Sequence, residues 1–178
     1  MSGTGPALVV VGPPASGKST VGAAVAQALG LPFRDTDADV EAQAGTTVAD
    51  LFVQQGEPHF RALEEQAVAR AMAEHDGVLA LGGGAVTSAA TRERLVAHGR
   101  AGRAVVWLDV DVTSAAKRVG LSRDRPLLAV NPRAMLRTML ETRAPLYAEV
   151  ATATVVTSAR PVEDVVADVL TAVGAGTP

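Results

Sequence analysis

Short apolar runs alternate along this chain with longer stretches in which apolar positions recur every three or four residues. Runs at 7–11, 31–34, 77–81, 104–108 and 153–156 are too short for helices and read as strands, the first being continuous enough for burial on both faces. The stretch 19–29 places Val21, Ala24, Val25, Ala28 and Leu29 at helical spacing and closes on Gly30, a C-capping glycine. Two or three helices are predicted between 37 and 75, with a turn at Ala44-Gly45 and a break near Gly56. Further helices are predicted at 88–98, 111–119, 133–142 and 161–173, the last with Pro161 in its first turn. This alternation predicts an α/β fold with a parallel sheet. Residues 120–132 lack periodicity, which marks either a functional loop or a disordered one.

A length of 178 residues fits one domain, and no internal repeat or linker divides it, so 1–178 is read as a single unit. No apolar run approaches the roughly 20 residues that a bilayer span needs. The segment 1–6 has no basic stretch of the secretory kind. Cysteine is absent, which removes disulfides and thiolate metal sites and makes a reducing cytoplasm the expected home. A net charge of -3 argues against broad nucleic-acid binding. Lys18 and Lys117 are the only lysines among 16 basic residues, so position must decide which arginines matter.

Gly12-Pro13-Pro14-Ala15-Ser16-Gly17-Lys18-Ser19 matches G-x-x-x-x-G-K-[ST] in full, after an apolar strand and opening a helix. Such a loop curls backbone N–H groups around phosphate oxygens at a helix N-terminus. Lys18 is expected to reach the β- and γ-phosphates, Ser19 to ligate Mg²⁺, and Thr20 to support the α-phosphate through its backbone. Gly12, Ser16 and Gly17 complete the cradle. The motif predicts a nucleotide and is silent on what receives the phosphate.

Three constellations point to a small polar acceptor. Asp35-Thr36-Asp37 follows the second strand; two carboxylates at i and i+2 on extended chain would face one cleft, although an acidic helix start is the other reading. Gly82-Gly83-Gly84 ends the third strand, where backbone can approach a ligand closely or simply turn. Arg61, Arg125 and Arg143 are dispersed arginines that together suit an anionic substrate, since guanidinium grips carboxylate in bidentate fashion. Individually, Arg61 reads equally as a solvated helix face and Arg143 as a helix C-terminal charge. His59, His75 and His98 have no metal-ligand spacing. Asp109 and Asp111 read as helix capping, and Trp107 as core.

With these motifs in order, the chain resembles shikimate kinase. The resemblance rests on the phosphate loop, Asp35-Thr36-Asp37, Gly45 before Val48-Ala49-Asp50-Leu51-Phe52, Gly56-Glu57 with Phe60-Arg61, Gly82-Gly83-Gly84, Arg125-Pro126-Leu127-Leu128 and Arg143-Ala144-Pro145-Leu146-Tyr147. It implies a three-layer P-loop kinase fold with a five-stranded parallel sheet flanked by helices, a substrate-binding helical region at about 35–63 and a lid loop at about 113–127. It implies transfer of the ATP γ-phosphoryl group to the 3-hydroxyl of shikimate, with Mg²⁺, on the route to chorismate and the aromatic amino acids. By position, Asp37 would act as general base on the acceptor and Asp35 would support Mg²⁺ through water. Arg61 and Arg143 would clamp the carboxylate, Gly83 would supply a backbone contact, and Phe52 and Phe60 would wall the ring. Arg125 would bridge phosphates and acceptor, while Arg118 would lie against adenine and Pro161 border it. Lys18, Asp37 and Arg125 are thus the catalytic residues implied.

The rival readings are a gluconate or adenylylsulfate kinase and a non-catalytic ATP-binding module. The triple glycine with the Arg-Pro-Leu-Leu and Arg-Ala-Pro-Leu-Tyr segments speaks against the first, and intact Lys18, Ser19, Asp35, Asp37 and Arg125 against the second. ATP and shikimate are the expected partners, with no nucleic acid, no membrane, and a monomer as the default.

Overall fold

The computed structural model describes residues 4–120 and 131–174. Five parallel strands, β1 (Leu8–Val11), β2 (Phe33–Asp35), β3 (Val78–Ala80), β4 (Ala104–Asp109) and β5 (Ala153–Val156), form one sheet in the order β2-β3-β1-β4-β5. Eight α-helices connect and cover them among the described residues: α1 (Lys18–Leu29), α2 (Thr36–Ala44), α3 (Val48–Gln55), α4 (Glu57–Glu74), α5 (Ala89–Arg100), α6 (Val112–Val119), α7 (Pro132–Val150) and α8 (Val162–Ala172).

The apolar run of β1 is fully buried because alternate residues point into opposite layers. Leu8 and Val10 pack with Val21 and Val25 of α1 and with Val165 and Val169 of α8. Val9 and Val11 pack with Val68 and Ala71 of α4, Leu95 of α5, and Tyr147 and Val150 of α7. A smaller core of Val40, Leu51, Phe60 and Ala67 holds α2, α3 and α4 together. The central strands β1 and β3 lie side by side, and the chain leaves them toward opposite edges. A crevice outside their carboxyl ends is where open α/β sheets bind ligands.

Several expectations are corrected. The pair Asp35 and Asp37 does not lie on extended chain: Asp35 is the N-cap of α2, its Oδ1 accepting the Asp37 N–H at 2.9 Å, and Asp37 is in the first helical turn. The acidic helix start and the paired carboxylates are therefore the same feature. Pro161 is the N-cap of α8, one position before the helix begins.

The helix expected at 133–142 instead runs to Val150, through Pro145. An interior proline removes one backbone hydrogen bond and costs about 3 kcal/mol. Here Pro145 is on the exposed side, and the burial of Leu136, Tyr147 and Val150 on the opposite side offsets that cost. Arg143 consequently sits inside a helix, on its buried face, and not beyond a helix end. Of the expected lid at 113–127, residues 113–119 belong to α6; Arg123 and Arg125 lie outside the described residues.

Candidate active site

The phosphate loop takes its shape from a few backbone positions. Gly12 has no room for a side chain, since a Cβ there would stand 2.6 Å from the Leu108 carbonyl oxygen and 2.8 Å from Ser16 Oγ. Gly17 caps α1 at φ 90°, in the left-handed region that glycine enters freely. Ala15 is also left-handed, at φ 65°, a strain of roughly 1–2 kcal/mol for a residue with a Cβ. Arg118 secures that conformation: its Nη1 donates to the Ala15 carbonyl at 2.9 Å, and its Nη2 to the Thr157 carbonyl at 2.8 Å. Lys18 Nζ donates to the Pro13 carbonyl at 2.9 Å, which keeps the ammonium against the loop.

Beside the loop is a cavity of about 310 Å³ lined by Ser16, Gly17, Thr20, Val21, Arg118, Thr157, Arg160, Val162 and Val165. Arg118 stands in its wall, next to the phosphate loop. Pro161 is not among the lining residues; Arg160 and Val162 on either side of it are.

Asp35 joins the start of α1 to the start of α2. Its Oδ2 accepts from Ser19 Oγ at 2.7 Å while its Oδ1 caps α2. A hydroxyl and a carboxylate are thus held together at the N-terminus of α1, a pair of hard oxygen donors.

The glycine run after β3 is a hub of contacts, and each glycine meets a different partner. At Gly82 a Cβ would lie 2.6 Å from Asp37 Oδ1 and 2.5 Å from Glu64 Oε2, and the Gly82 N–H donates to the buried Thr36 hydroxyl at 3.1 Å. Gly83 presses against Pro14 of the phosphate loop, and its carbonyl accepts from Arg143 Nη1 at 3.2 Å and from the Tyr147 hydroxyl at 2.5 Å. Gly84 packs against the guanidinium of Arg61, leaving no space for a methyl group. Residues far apart in sequence, Asp37, Arg61 and Arg143, therefore converge on three consecutive peptide units. Gly82→Ala is expected to push Asp37 and Glu64 apart and abolish most acceptor turnover while leaving ATP binding intact. Steady-state kinetics together with nucleotide titration checks this.

Arg61 is fixed by its own helix. Its Nη1 donates to Glu64 Oε1 at 2.7 Å and its Nη2 pairs with Glu57 Oε1 at 3.3 Å, one turn away on either side. Its charge also lies 5.2 Å from the centre of the Phe60 ring. Phe60 is itself in the small core, 3% exposed, and stands 4.7 Å from the Phe52 ring. Phe52 is the more accessible of the two.

Glu64 is a site residue that the sequence reading did not single out. It is 2% exposed, and burial raises its carboxyl above the usual carboxylate range, against the pull of Arg61 and Arg143 and with the push of Asp37. Its Oε2 accepts no hydrogen bond from the described residues and is the oxygen directed at Gly82. A signal was present in the sequence: Phe60, Glu64, Ala67, Val68 and Ala71 form one helical stripe, and a glutamate on an apolar stripe is a buried charge.

Asp111 caps α6, its Oδ1 accepting from the Ser114 N–H at 2.7 Å. That backbone bond holds its carboxyl below the usual carboxylate range, as capping requires.

Comparison with known proteins places the chain in a family. The family model described as shikimate kinase matches residues 14–174. A shikimate kinase of Salinispora arenicola is 56% identical, over 92% of this chain and 95% of that protein. The solved shikimate kinase from Acinetobacter baumannii in complex with shikimate superposes with a TM-score of 0.87 at 36% identity, covering 95% of this chain and 92% of that one. A gluconokinase from Sinorhizobium meliloti, over 94% of this chain and 90% of that one, reaches only 0.58 at 27% identity. The chain belongs to the shikimate kinase family.

Proposed function

We propose that this protein transfers the γ-phosphoryl group of ATP to the 3-hydroxyl of shikimate, giving shikimate 3-phosphate and ADP. One observation carries the acceptor assignment beyond family membership. The peptide units 82–84 gather two carboxylates, Asp37 and Glu64, and two guanidinium groups, Arg61 and Arg143, directly beside Pro14 of the phosphate loop. Arginines suit a carboxylate and acidic side chains suit ring hydroxyls, so the chemistry fits a small polyhydroxy acid.

In this reading the acceptor hydroxyl oxygen attacks the γ-phosphorus as the bond to the ADP oxygen breaks. Asp37 orients the hydroxyl and accepts its proton. Glu64 Oε2 accepts from a neighbouring ring hydroxyl, while Arg61 and Arg143 hold the carboxylate and so fix the ring. Lys18 and the inward N–H groups of the phosphate loop stabilise charge on the β- and γ-phosphates. Ser19 and Asp35 offer hard oxygens that fit Mg²⁺, which keeps several waters and takes one or two protein oxygens along with phosphates; bound there, it would neutralise phosphate charge. Positioning of this kind is the main contribution expected in phosphoryl transfer. The enzyme is read as a cytoplasmic monomer; no described helix is long and apolar enough to cross a membrane.

ADP release from Mg²⁺-ATP, measured with shikimate, gluconate, adenylylsulfate or no acceptor, tests the proposal. Release is expected with shikimate alone. Release with gluconate or adenylylsulfate instead would move the function to a rival kinase, and ATP binding without acceptor-dependent release would leave a binding module.

A further inference from the structure

Tyr147 belongs to none of the roles assigned so far, yet it is 1% exposed and ends on the acceptor hub. Its ring stacks on Trp107 with centroids 5.6 Å apart, and its hydroxyl donates to the Gly83 carbonyl at 2.5 Å. Burial pushes the phenol up to about 12, so it remains a donor at any pH at which a kinase of this kind works. Arg143 donates to the same oxygen over a longer distance, 3.2 Å. A carbonyl oxygen has two lone pairs, and both of these are engaged.

Two demands on Arg143 conflict. Gripping a carboxylate with both arms of the guanidinium favours release of the Gly83 carbonyl, but a half-buried carbonyl left without a donor is disfavoured. The tyrosine resolves the conflict, because its hydroxyl stays on Gly83 when the arginine turns away. The same bond fixes the Gly83–Gly84 peptide, whose trans geometry directs the Gly84 N–H away from Tyr147. We propose that Tyr147 is a positioning residue for acceptor binding, holding the Gly83 carbonyl so that Arg143 is free to engage the acceptor's carboxylate. This inference rests on the assignment of shikimate as acceptor.

The test compares the unmutated enzyme with Tyr147→Phe, which keeps the ring on Trp107 and removes only the hydroxyl. Calorimetric titration is done with shikimate and with its neutral analogue, in which a hydroxymethyl group replaces the carboxylate. The variant is expected to bind shikimate about tenfold more weakly, with binding of the neutral analogue and of ATP unchanged. Equal weakening of both acceptors, or of neither, overturns the proposal. Because Tyr147 is the only tyrosine in the chain, fluorotyrosine incorporation gives a second readout that does not depend on the variant folding. Its ¹⁹F resonance is expected to shift with shikimate and to stay in place with the neutral analogue; a resonance indifferent to shikimate also overturns the proposal. Failure of the acceptor assignment has a different signature, since the unmutated enzyme would then release no ADP with shikimate.

Discussion

Asp37→Asn is expected to lower kcat by about 10²–10⁴-fold, the usual contribution of a positioned general base, while ATP binds normally. Asparagine keeps the size of the side chain, and the α2 start survives because Asp35 rather than Asp37 is the cap. What is lost is the acceptor for the hydroxyl proton. The neighbouring Glu64 is not an equivalent substitute: burial disfavours its charged form, and its Oε1 is committed to Arg61. Removing the Asp37 charge would stabilise the ionised form of Glu64, since Asp37 repels it. A stopped assay of initial rates against shikimate decides the matter, and near-normal turnover would exclude Asp37 from proton transfer.

Arg61→Ala is expected to raise the KM for shikimate on the order of 10²-fold, the range seen when one partner of a desolvated charge pair is truncated. The KM for ATP should hardly change, because no phosphate-loop residue contacts Arg61 in the hydrogen bonds and ion pairs described above. Interpretation needs one control. The substitution also strands Glu64, which is 2% exposed and paired with Arg61 at 2.7 Å, so stability falls as well. The double variant Arg61→Ala with Glu64→Gln should recover much of the lost Tm without recovering the KM. Recovery of both together would make Arg61 a structural residue. Arg61→Lys should restore charge but not the fork that contacts Glu57 and Glu64, and so only a fraction of the affinity.

The parts of this molecule legible in its sequence are those where backbone dictates the residue. The phosphate loop and the glycine run are visible because a Cβ collides at Gly12, Gly82, Gly83 and Gly84. The central strands β1 and β3 are visible because an unbroken apolar run has few alternatives to a doubly covered sheet. The full length of α7 was not legible, since a proline normally ends a helix and only the tertiary burial of the opposite face shows that Pro145 does not. Glu64 and Tyr147 escaped for a related reason. Each lies on a buried helical stripe, and its partners, Gly82 and Gly83, come from a strand end that the local sequence does not reveal. Arg125, implied as the residue that bridges phosphates and acceptor, lies outside the described residues, and the site geometry above stands on the others.

The stack of Trp107 on Tyr147 has a practical consequence. The chain has one tryptophan, and its ring also borders a cavity of about 380 Å³ shared with Pro13 and Tyr147. All tryptophan emission therefore originates at one point, between the donor loop and the ring that touches the acceptor hub. Occupancy of the enzyme is therefore expected to be readable optically, without a dye or a coupled assay, as a change in the emission of a single native fluorophore.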